Sequence, residues 1–296
     1  MKNILIVGCG DIGERVAGLC GKKAWSVTGL VRSSASIIRL KQAGVDAYQM
    51  DLDRKKNRPA LPLKKSVVLY LAPPPNEGDT DPLIRQFLAA IASNALPEKI
   101  VLLSTTAVYG NCQGDWITEA HKANPQTSRG LRRLDAEQAV QKWSERTGVP
   151  MVLLRVGGIY GAGRLPIESI KKGTPILHEA DSPFTNRIHQ DDLAQVCIAA
   201  IERGRVGEVY NISDGQPSTM SRYFKDIAQV FDLPQPPEVS LEEAEKVMSA
   251  GMLSYLKESR RIDNGKMLEE LGVVLRYADL AAGLGENEST ALKNGR

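Results

Sequence analysis

Three glycines near the start of the chain stand at a spacing that suits a phosphate-binding turn. An apolar run from Asn3 to Val7 leads directly into the turn, and a helical pattern follows it. A strand, a glycine turn and a helix in that order can bring backbone close to a pyrophosphate, and the helix N-terminus then offers N–H groups and partial positive charge. An ordinary β-to-α loop is the alternative. We predict a dinucleotide in contact with Gly8, Gly10, Asp11, Ile12 and Gly13.

The end of the second predicted strand, Trp25 to Val31, bears on which dinucleotide binds. NAD sites usually place a carboxylate there, which holds the ribose 2′-hydroxyl. In this chain the strand is followed by Arg32, and a guanidinium suits a 2′-phosphate. We therefore predict NADP rather than NAD, unless Arg32 is simply a solvated loop residue. Asp51 is expected on the adenine side.

Composition and charge exclude several classes of protein. Of the 296 residues, 42% are hydrophobic and 25% charged, and the net charge is +3, too small and scattered to favour nucleic acid or a membrane surface. No apolar stretch approaches membrane-spanning length. The four cysteines are isolated and the three histidines lack metal-ligand spacing, so no metal is expected. The chain starts without a signal-peptide pattern, and we expect a cytoplasmic protein.

Strand and helix patterns alternate along the chain, which predicts an α/β fold with a doubly wound parallel sheet of the Rossmann type. One buried strand, Ser66 to Leu71, stops at a run of prolines, and we place Leu71 and Ala72 against the cofactor. Another helix is predicted over Leu131 to Thr147, and a further one over Leu241 to Leu256. The polar tail 285–296 is predicted to be disordered.

Four segments, in order along the chain, resemble one family, the extended short-chain dehydrogenase/reductases, also called the NAD(P)-dependent epimerase/dehydratase family. They are Leu102–Gly110, with its Ser-Thr-Thr-Ala-Val-Tyr-Gly, then Leu153–Gly161, Arg187–Ala194 and Tyr210–Ile212. The resemblance implies a Rossmann domain of residues 1–157 plus 187–212. It also implies a small C-terminal substrate-binding lobe of residues 158–186 plus 213–284. Members of this family commonly dimerise through the helix that corresponds to 131–147, which makes a homodimer an expected assembly.

The chain departs from the family at its catalytic pair, a Tyr followed four residues later by a Lys. Aligned on Ala136-Glu137, these positions hold Arg129 and Arg133. A guanidinium stays charged near neutral pH and cannot act as an acid or base, although Arg133 could still bind the nicotinamide ribose. Thr105 matches the family's hydrogen-bonding Ser/Thr and is expected to orient the reacting oxygen.

Another group must therefore supply the proton, and Tyr109 is the candidate we name, with Tyr160 and His189 as alternatives. Each also has a structural interpretation, a core tyrosine with a satisfied hydroxyl or a packed histidine. The segments expected near the cleft are rich in arginine, which suits an anionic substrate. Some of these side chains could instead form salt bridges with Asp135, Glu137 or Asp192. The arginines are Arg129, Arg132, Arg133, Arg155, Arg164 and Arg187.

Together these features predict an NAD(P)-binding oxidoreductase or epimerase/dehydratase-like enzyme that acts on a small, anionic or sugar-like substrate. The alternative is a non-catalytic, NADP-sensing regulatory or scaffold protein.

Overall fold

A seven-stranded parallel sheet organises residues 1–53 and 61–285, which are the residues that the computed structural model describes. The strands, in chain order, are β1 (Asn3–Val7), β2 (Ser26–Val31), β3 (Asp46–Gln49), β4 (Ser66–Tyr70), β5 (Lys99–Thr105), β6 (Trp116–Ile117), β7 (Met151–Val156), β8 (Gly158–Tyr160), β9 (Ile176–Leu177), β10 (Phe184–Thr185), β11 (Arg187–His189), β12 (Val209–Ile212), β13 (Ser218–Thr219), β14 (Glu238–Val239) and β15 (Arg261–Ile262).

The helices, in chain order, are α1 (Asp11–Lys22), α2 (Ser34–Gln42), α3 (Pro82–Ala89), α4 (Ser128–Thr147), α5 (Ile167–Lys171), α6 (Gln190–Arg203), α7 (Met220–Val230), α8 (Leu241–Val247), α9 (Ala250–Leu256) and α10 (Gly265–Leu271). Residues 280–285 are also helical. Of the tail predicted to be disordered, residues 286–296 lie outside the described residues.

The order of the strands across the main sheet is β12-β7-β5-β4-β1-β2-β3. The direction in which the chain adds strands reverses between β1 and β4, and ligands of open parallel sheets bind at such a switch point, beyond the carboxyl ends of the strands. The two strands are joined there by a hydrogen bond from the Leu71 N–H to the Val7 carbonyl, at 2.8 Å. The predicted Rossmann sheet is therefore confirmed.

Both faces of the sheet are buried, which explains why its strands are almost continuously apolar. Along β1, Ile4 and Ile6 belong to the apolar cluster on one face, whereas Leu5 and Val7 belong to the cluster on the other. This alternation is the two-residue period of an extended strand. Helices α1 and α6 cover the first face, and α3 and α4 cover the second.

A separate apolar cluster joins α5, β9 and α7, in the segments predicted to form the lobe. The packing departs from the predicted lobe after β15, because Met267, Leu271 and Val273 belong to the main core cluster. Helix α10 therefore packs with the Rossmann layer, beside α6 and β12. The sequence pattern shows that a helix has an apolar face, but it does not show against which surface that face packs.

Two helix predictions need correction. The helix predicted from Leu131 begins at Ser128, which puts Arg129 inside its first turn. The helix predicted over Leu241 to Leu256 is two helices, because the chain is extended at Met248 and the Ser249 hydroxyl then caps α9 by accepting a hydrogen bond from the Met252 N–H. In the described part of the chain, no helix combines the length and the apolarity that crossing a membrane requires.

Candidate active site

The turn between β1 and α1 is held against the end of β4. Gly8 has a φ of +79°, and a Cβ placed on it would meet the Cα and N atoms of Ala72 at 2.6 Å. The N–H groups of Gly8 and Cys9 both donate to the Leu30 carbonyl, at 2.9 and 3.1 Å. Only glycine satisfies both the positive φ and the close approach. The first glycine of the turn is thus required by the fold itself.

The second glycine leaves space instead of filling it. Gly10 is the N-cap of α1, no side chain caps this helix end, and nothing lies within 4 Å of a Cβ built on Gly10. The free N–H groups of the first turn therefore face an open region. This region is part of a cavity of about 380 Å³, which we call the glycine-turn cavity. It is lined by Val7, Gly8, Cys9, Gly10, Leu30, Val31, Arg32, Ser33, Ser36, Met50, Asp51, Leu52, Asp53, Ala72, Pro73 and Leu83.

Arg32 and Asp51 both line this cavity, at the ends of neighbouring strands. Arg32 is exposed, and within the described residues its guanidinium has no hydrogen-bond or salt-bridge partner, while its carbonyl accepts from Gln49 Nε2 at 3.0 Å. The Asp51 carboxylate accepts a hydrogen bond from the Asp53 N–H at 3.1 Å. The predicted residues Gly8, Gly10, Arg32, Asp51 and Ala72 are therefore brought together.

Five other predicted cofactor contacts do not line the glycine-turn cavity: Asp11, Ile12, Gly13, Leu71 and Arg133, of which Arg133 lines the second cavity described below. Ile12 and Leu71 are buried in the main core, and Gly13 lies where a Cβ would come within 3.1 Å of Ile6. The Asp11 carboxylate accepts from Arg15 Nε at 3.1 Å and from Arg164 Nε at 3.0 Å. Asp11, Ile12, Gly13 and Leu71 therefore lie outside the lining of this cavity.

A larger cavity, of about 820 Å³, lies between the sheet end and the lobe, and we call it the arginine-lined cavity. Its lining includes Thr105, Thr106, Tyr160, Phe184, Tyr223 and Tyr255. Five of its lining residues are arginines and only one is acidic; these are Arg129, Arg133, Arg164, Arg187, Arg260 and Glu258. Such a lining favours an anionic ligand.

Arg133 connects the two cavities. Both of its terminal nitrogens lie 3.4 Å from the Ala72 carbonyl oxygen, and Ala72 lines the glycine-turn cavity whereas Arg133 lines the other. Burial lowers the pKa of Arg133, and the nearby Asp81 carboxylate opposes that effect. Arg133 thus places a positive charge where the two cavities approach each other.

Arg129 is held by the segment that follows α8. Its Nη1 donates to Ser254 Oγ at 2.8 Å and its Nη2 to Glu258 Oε2 at 2.9 Å. Its guanidinium also lies 3.6 Å from the centre of the Tyr255 ring, a cation–π contact. Arg129 therefore connects the first turn of α4 to the C-terminal part of the chain.

Arg187 is a buried cation whose hydrogen-bond partners are uncharged. It donates to Ser218 Oγ at 3.0 Å and to Thr185 Oγ1 at 2.7 Å, and its guanidinium lies 3.7 Å from the centre of the Tyr223 ring. Burial lowers its pKa to about 10. A buried cation without a carboxylate in hydrogen-bond contact suits an anion from outside the protein.

Arg132 and Arg155, also predicted near the cleft, do not line the cavity. Arg155 forms a buried salt bridge with Glu137, at 2.7 Å, which is the structural alternative predicted from the sequence. Ser104 Oγ donates to the same carboxylate at 2.5 Å. Arg132 donates to the Gly78 carbonyl at 2.6 Å. These two arginines act within the protein.

Tyr109, the predicted proton donor, also lies away from the cavity. Only 1% of it is exposed, and its hydroxyl donates to Asn211 Oδ1 at 2.7 Å. Burial raises its pKa. The core interpretation therefore replaces the catalytic one: the 3₁₀ turn Thr106–Tyr109 after β5 points the ring into the interior.

The other two candidates differ from each other. His189 is buried and does not line the cavity, and its Nδ1 accepts from the Asp191 N–H at 3.3 Å. Tyr160 does line the cavity, but its hydroxyl donates to the Asp279 carbonyl at 3.0 Å and burial raises its pKa. Thr105 also lines the cavity.

Sequence reasoning missed Tyr255, Glu258 and Arg260, which complete the cavity from more than a hundred residues beyond β5. A charged run is visible at Glu258-Ser259-Arg260-Arg261. No local pattern, however, pairs this run with the first turn of α4. In the described residues, no group of three or more potential His, Cys, Asp or Glu ligands could hold a metal ion.

Known proteins resemble this chain in sequence or in structure. The protein YeeZ of Escherichia coli is 24% identical over 288 residues, which are 94% of this chain and 97% of that protein. A functionally unknown conserved protein from Silicibacter pomeroyi superposes with a TM-score of 0.84 at 27% identity, covering 98% of this chain and 99% of that one.

A third relative has a named activity. UDP-glucuronic acid 4-epimerase from Bacillus cereus, solved in complex with NAD, has a TM-score of 0.76 at 18% identity and covers 99% of this chain and 100% of its own. The sequence model of the NAD dependent epimerase/dehydratase family matches residues 4–213. The chain belongs to the NAD dependent epimerase/dehydratase family, as the four segments predicted.

Proposed function

We propose that this protein is an NAD(P)-dependent oxidoreductase of the epimerase/dehydratase type that acts on a small, anionic or sugar-like substrate. The observation that carries the proposal is Arg133, which lines the arginine-lined cavity and hydrogen-bonds the Ala72 carbonyl at the edge of the glycine-turn cavity. A cofactor site and a substrate site are thereby adjacent. UDP-glucuronic acid 4-epimerase, solved with NAD, supports both parts of the proposal by fold.

The residues of the glycine-turn cavity fit a dinucleotide. Gly8 brings the turn against Ala72, and Gly10 leaves the uncapped start of α1 open to a pyrophosphate. Asp51, which lines the same cavity, is proposed to contact the adenine side. When bound, the nicotinamide supplies hydride acceptance and return.

We further propose that NADP is preferred to NAD. Arg32 follows β2, and its guanidinium has no partner among the described residues, so it is available to donate hydrogen bonds to a 2′-phosphate. The acidic residues of the cavity, Asp51 and Asp53, follow β3 instead.

The usual Tyr and Lys positions of the family are proposed to hold Arg129 and Arg133, which line the cavity. Neither can transfer a proton near neutral pH, because a guanidinium stays protonated. Their role here is to hold negative charge. Thr105 lines the same cavity and its Oγ1 accepts from the Ala107 N–H at 3.3 Å; it is proposed to orient the reacting oxygen.

The cofactor assignment is tested by calorimetric titration of NADPH and NADH into the wild type and Arg32→Ala. Loss of a charge-assisted contact should weaken NADPH binding by about tenfold or more, with little effect on NADH. Arg39→Ala is the matched control, because Arg39 is an exposed arginine on α2 that pairs with Glu14. Equal losses for the two nucleotides in Arg32→Ala would contradict the 2′-phosphate assignment.

The enzymatic assignment is tested by following NADPH absorbance with ketones, aldehydes and nucleotide sugars. Turnover that depends on Thr105 supports the enzyme. Tight NADPH binding with no turnover of any of these compounds indicates the alternative, a non-catalytic NADP-sensing regulatory or scaffold protein. Analytical ultracentrifugation of the same samples tests the expected homodimer.

A further inference from the structure

The arginine-lined cavity contains a second cationic group, separate from Arg187, in which two arginines share one carboxylate. Glu258 Oε2 accepts from Arg129 Nη2 at 2.9 Å and from Arg260 Nη1 at 3.1 Å. Its other oxygen, Oε1, accepts from Thr127 Oγ1 at 2.9 Å. Glu258, Arg129 and Arg260 all line the cavity. Two guanidiniums against one carboxylate leave one positive charge in this group.

Two of the five N–H donors of Arg260 are used within the protein. Its Nη1 donates to Glu258 and to the Gly110 carbonyl, the latter at 2.7 Å. Its Nε is buried without a partner, and within the described residues its Nη2 makes no hydrogen bond. Nε and Nη2 form one edge of the planar guanidinium, and such an edge can bind two oxygens of a single oxyanion.

Arg260 is fixed in this position by burial. Only 9% of it is exposed, and the removal of water lowers its pKa. Buried polar groups are normally hydrogen-bonded, because a missing partner is costly in a medium of low polarity. Arg129 repeats the pattern, since its Nε is also buried without a partner. The two side chains thus keep unmet donors beside a cavity.

We propose that Arg129 and Arg260 form a binding site for an oxyanionic group of the substrate, a carboxylate or a phosphate. The site lies beside the turn that begins at Thr105, because Arg260 holds the Gly110 carbonyl at the end of that turn. It is distinct from Arg187, which belongs to the β11 side of the cavity. That the oxyanion belongs to the substrate rests on the proposed function.

The test observes the two arginines directly. The full chain, labelled with ¹⁵N-arginine and loaded with NADPH, is titrated with inorganic phosphate and, in a second arm, with acetate. The Nε–H resonances of Arg260 and Arg129 are assigned by their loss in Arg260→Lys and Arg129→Lys. Both should shift on titration, whereas the Arg222 resonance should not, because that exposed arginine pairs with Asp226 on α7. The arm with the lower dissociation constant identifies phosphate or carboxylate as the preferred group.

Two variants should change anion binding in opposite directions. Arg260→Gln should weaken binding at the shifting resonance of Arg129 by about tenfold, the value of one charge-assisted contact. Glu258→Gln removes the competing negative charge and should strengthen anion binding. If the two arginines are purely structural, the wild type should show no shift. Absence of any shift of the Arg260 resonance with both anions overturns the proposal. NADPH titration of the same samples reports separately on the proposed function, because it concerns the other cavity.

Discussion

Separate substitutions of Gly8 and Gly10 should distinguish the effect of this turn on stability from its effect on cofactor binding. At Gly8 an alanine must adopt a φ of +79° and place its Cβ 2.6 Å from backbone atoms of Ala72. The left-handed conformation costs about 1–2 kcal/mol, and the overlap adds about 1–3 kcal/mol. Gly8→Ala should therefore lower the free energy of unfolding by about 2–5 kcal/mol.

At Gly10 the same change should leave stability nearly unaltered. The residue has a negative φ of −91° and nothing lies within 4 Å of its Cβ. Reduced freedom of the unfolded chain stabilises by about 0.4–1 kcal/mol, and the poorer N-cap offsets a similar amount. The net change should stay within about 1 kcal/mol.

Gly10→Ala should weaken NADPH binding strongly, although it changes stability little. The new methyl group occupies space that a pyrophosphate needs beside the start of α1, and a misfit of this kind costs about 1–3 kcal/mol. The dissociation constant for NADPH should rise about 5- to 150-fold. Urea unfolding and calorimetry measure the two quantities. If Gly10→Ala binds NADPH as tightly as the wild type, the pyrophosphate does not lie at this turn and the reasoning is wrong.

Three further predictions concern buried side chains. Tyr109→Phe should keep any turnover at the wild-type level and lose about 1 kcal/mol of stability, the value of one hydrogen bond; a large loss of kcat at full stability would restore its catalytic role. Glu137→Ala should lower the free energy of unfolding by about 3–5 kcal/mol, because it leaves Arg155 buried and unpaired, and an unchanged urea midpoint would contradict this. Burial raises the pKa of Asp214 from 3.8 to about 7, so the native state holds a proton that the unfolded chain releases, and stability should fall as pH rises from about 4 to 7. Asp214→Asn should flatten that fall in urea titrations at stepped pH, and an identical slope would exclude this residue as its source.

Sequence patterns within short segments were sufficient to predict the elements of the main sheet. The glycine spacing, the apolar β1 and the alternation of elements were sufficient to predict the Rossmann sheet, and the four segments predicted the family. The break at Met248 was missed, although Ser249 is a good N-cap, because the apolar pattern continues on both sides of it.

The lining of the site was predictable only in part. Arg129 and Arg133 are found at the cavity because helix α4 follows β5 in the order that the family shows. Glu258 and Arg260 reach the same cavity through contacts that span more than 125 residues, such as that between Arg129 and Glu258. Tyr109 was misplaced because the 3₁₀ turn that follows β5 directs its ring into the interior, and residue type alone does not reveal that direction.

The Ala72 carbonyl lies between the two cavities, so a ligand in one cavity can affect a ligand in the other. It belongs to the wall of one cavity and receives Arg133 from the wall of the other. A molecule that displaces this peptide group on one side alters the placement of the guanidinium on the other. Thermodynamic reciprocity then requires each occupant to change the affinity of its neighbour by the same factor. Titrations of either compound should accordingly be carried out with the second both present and absent.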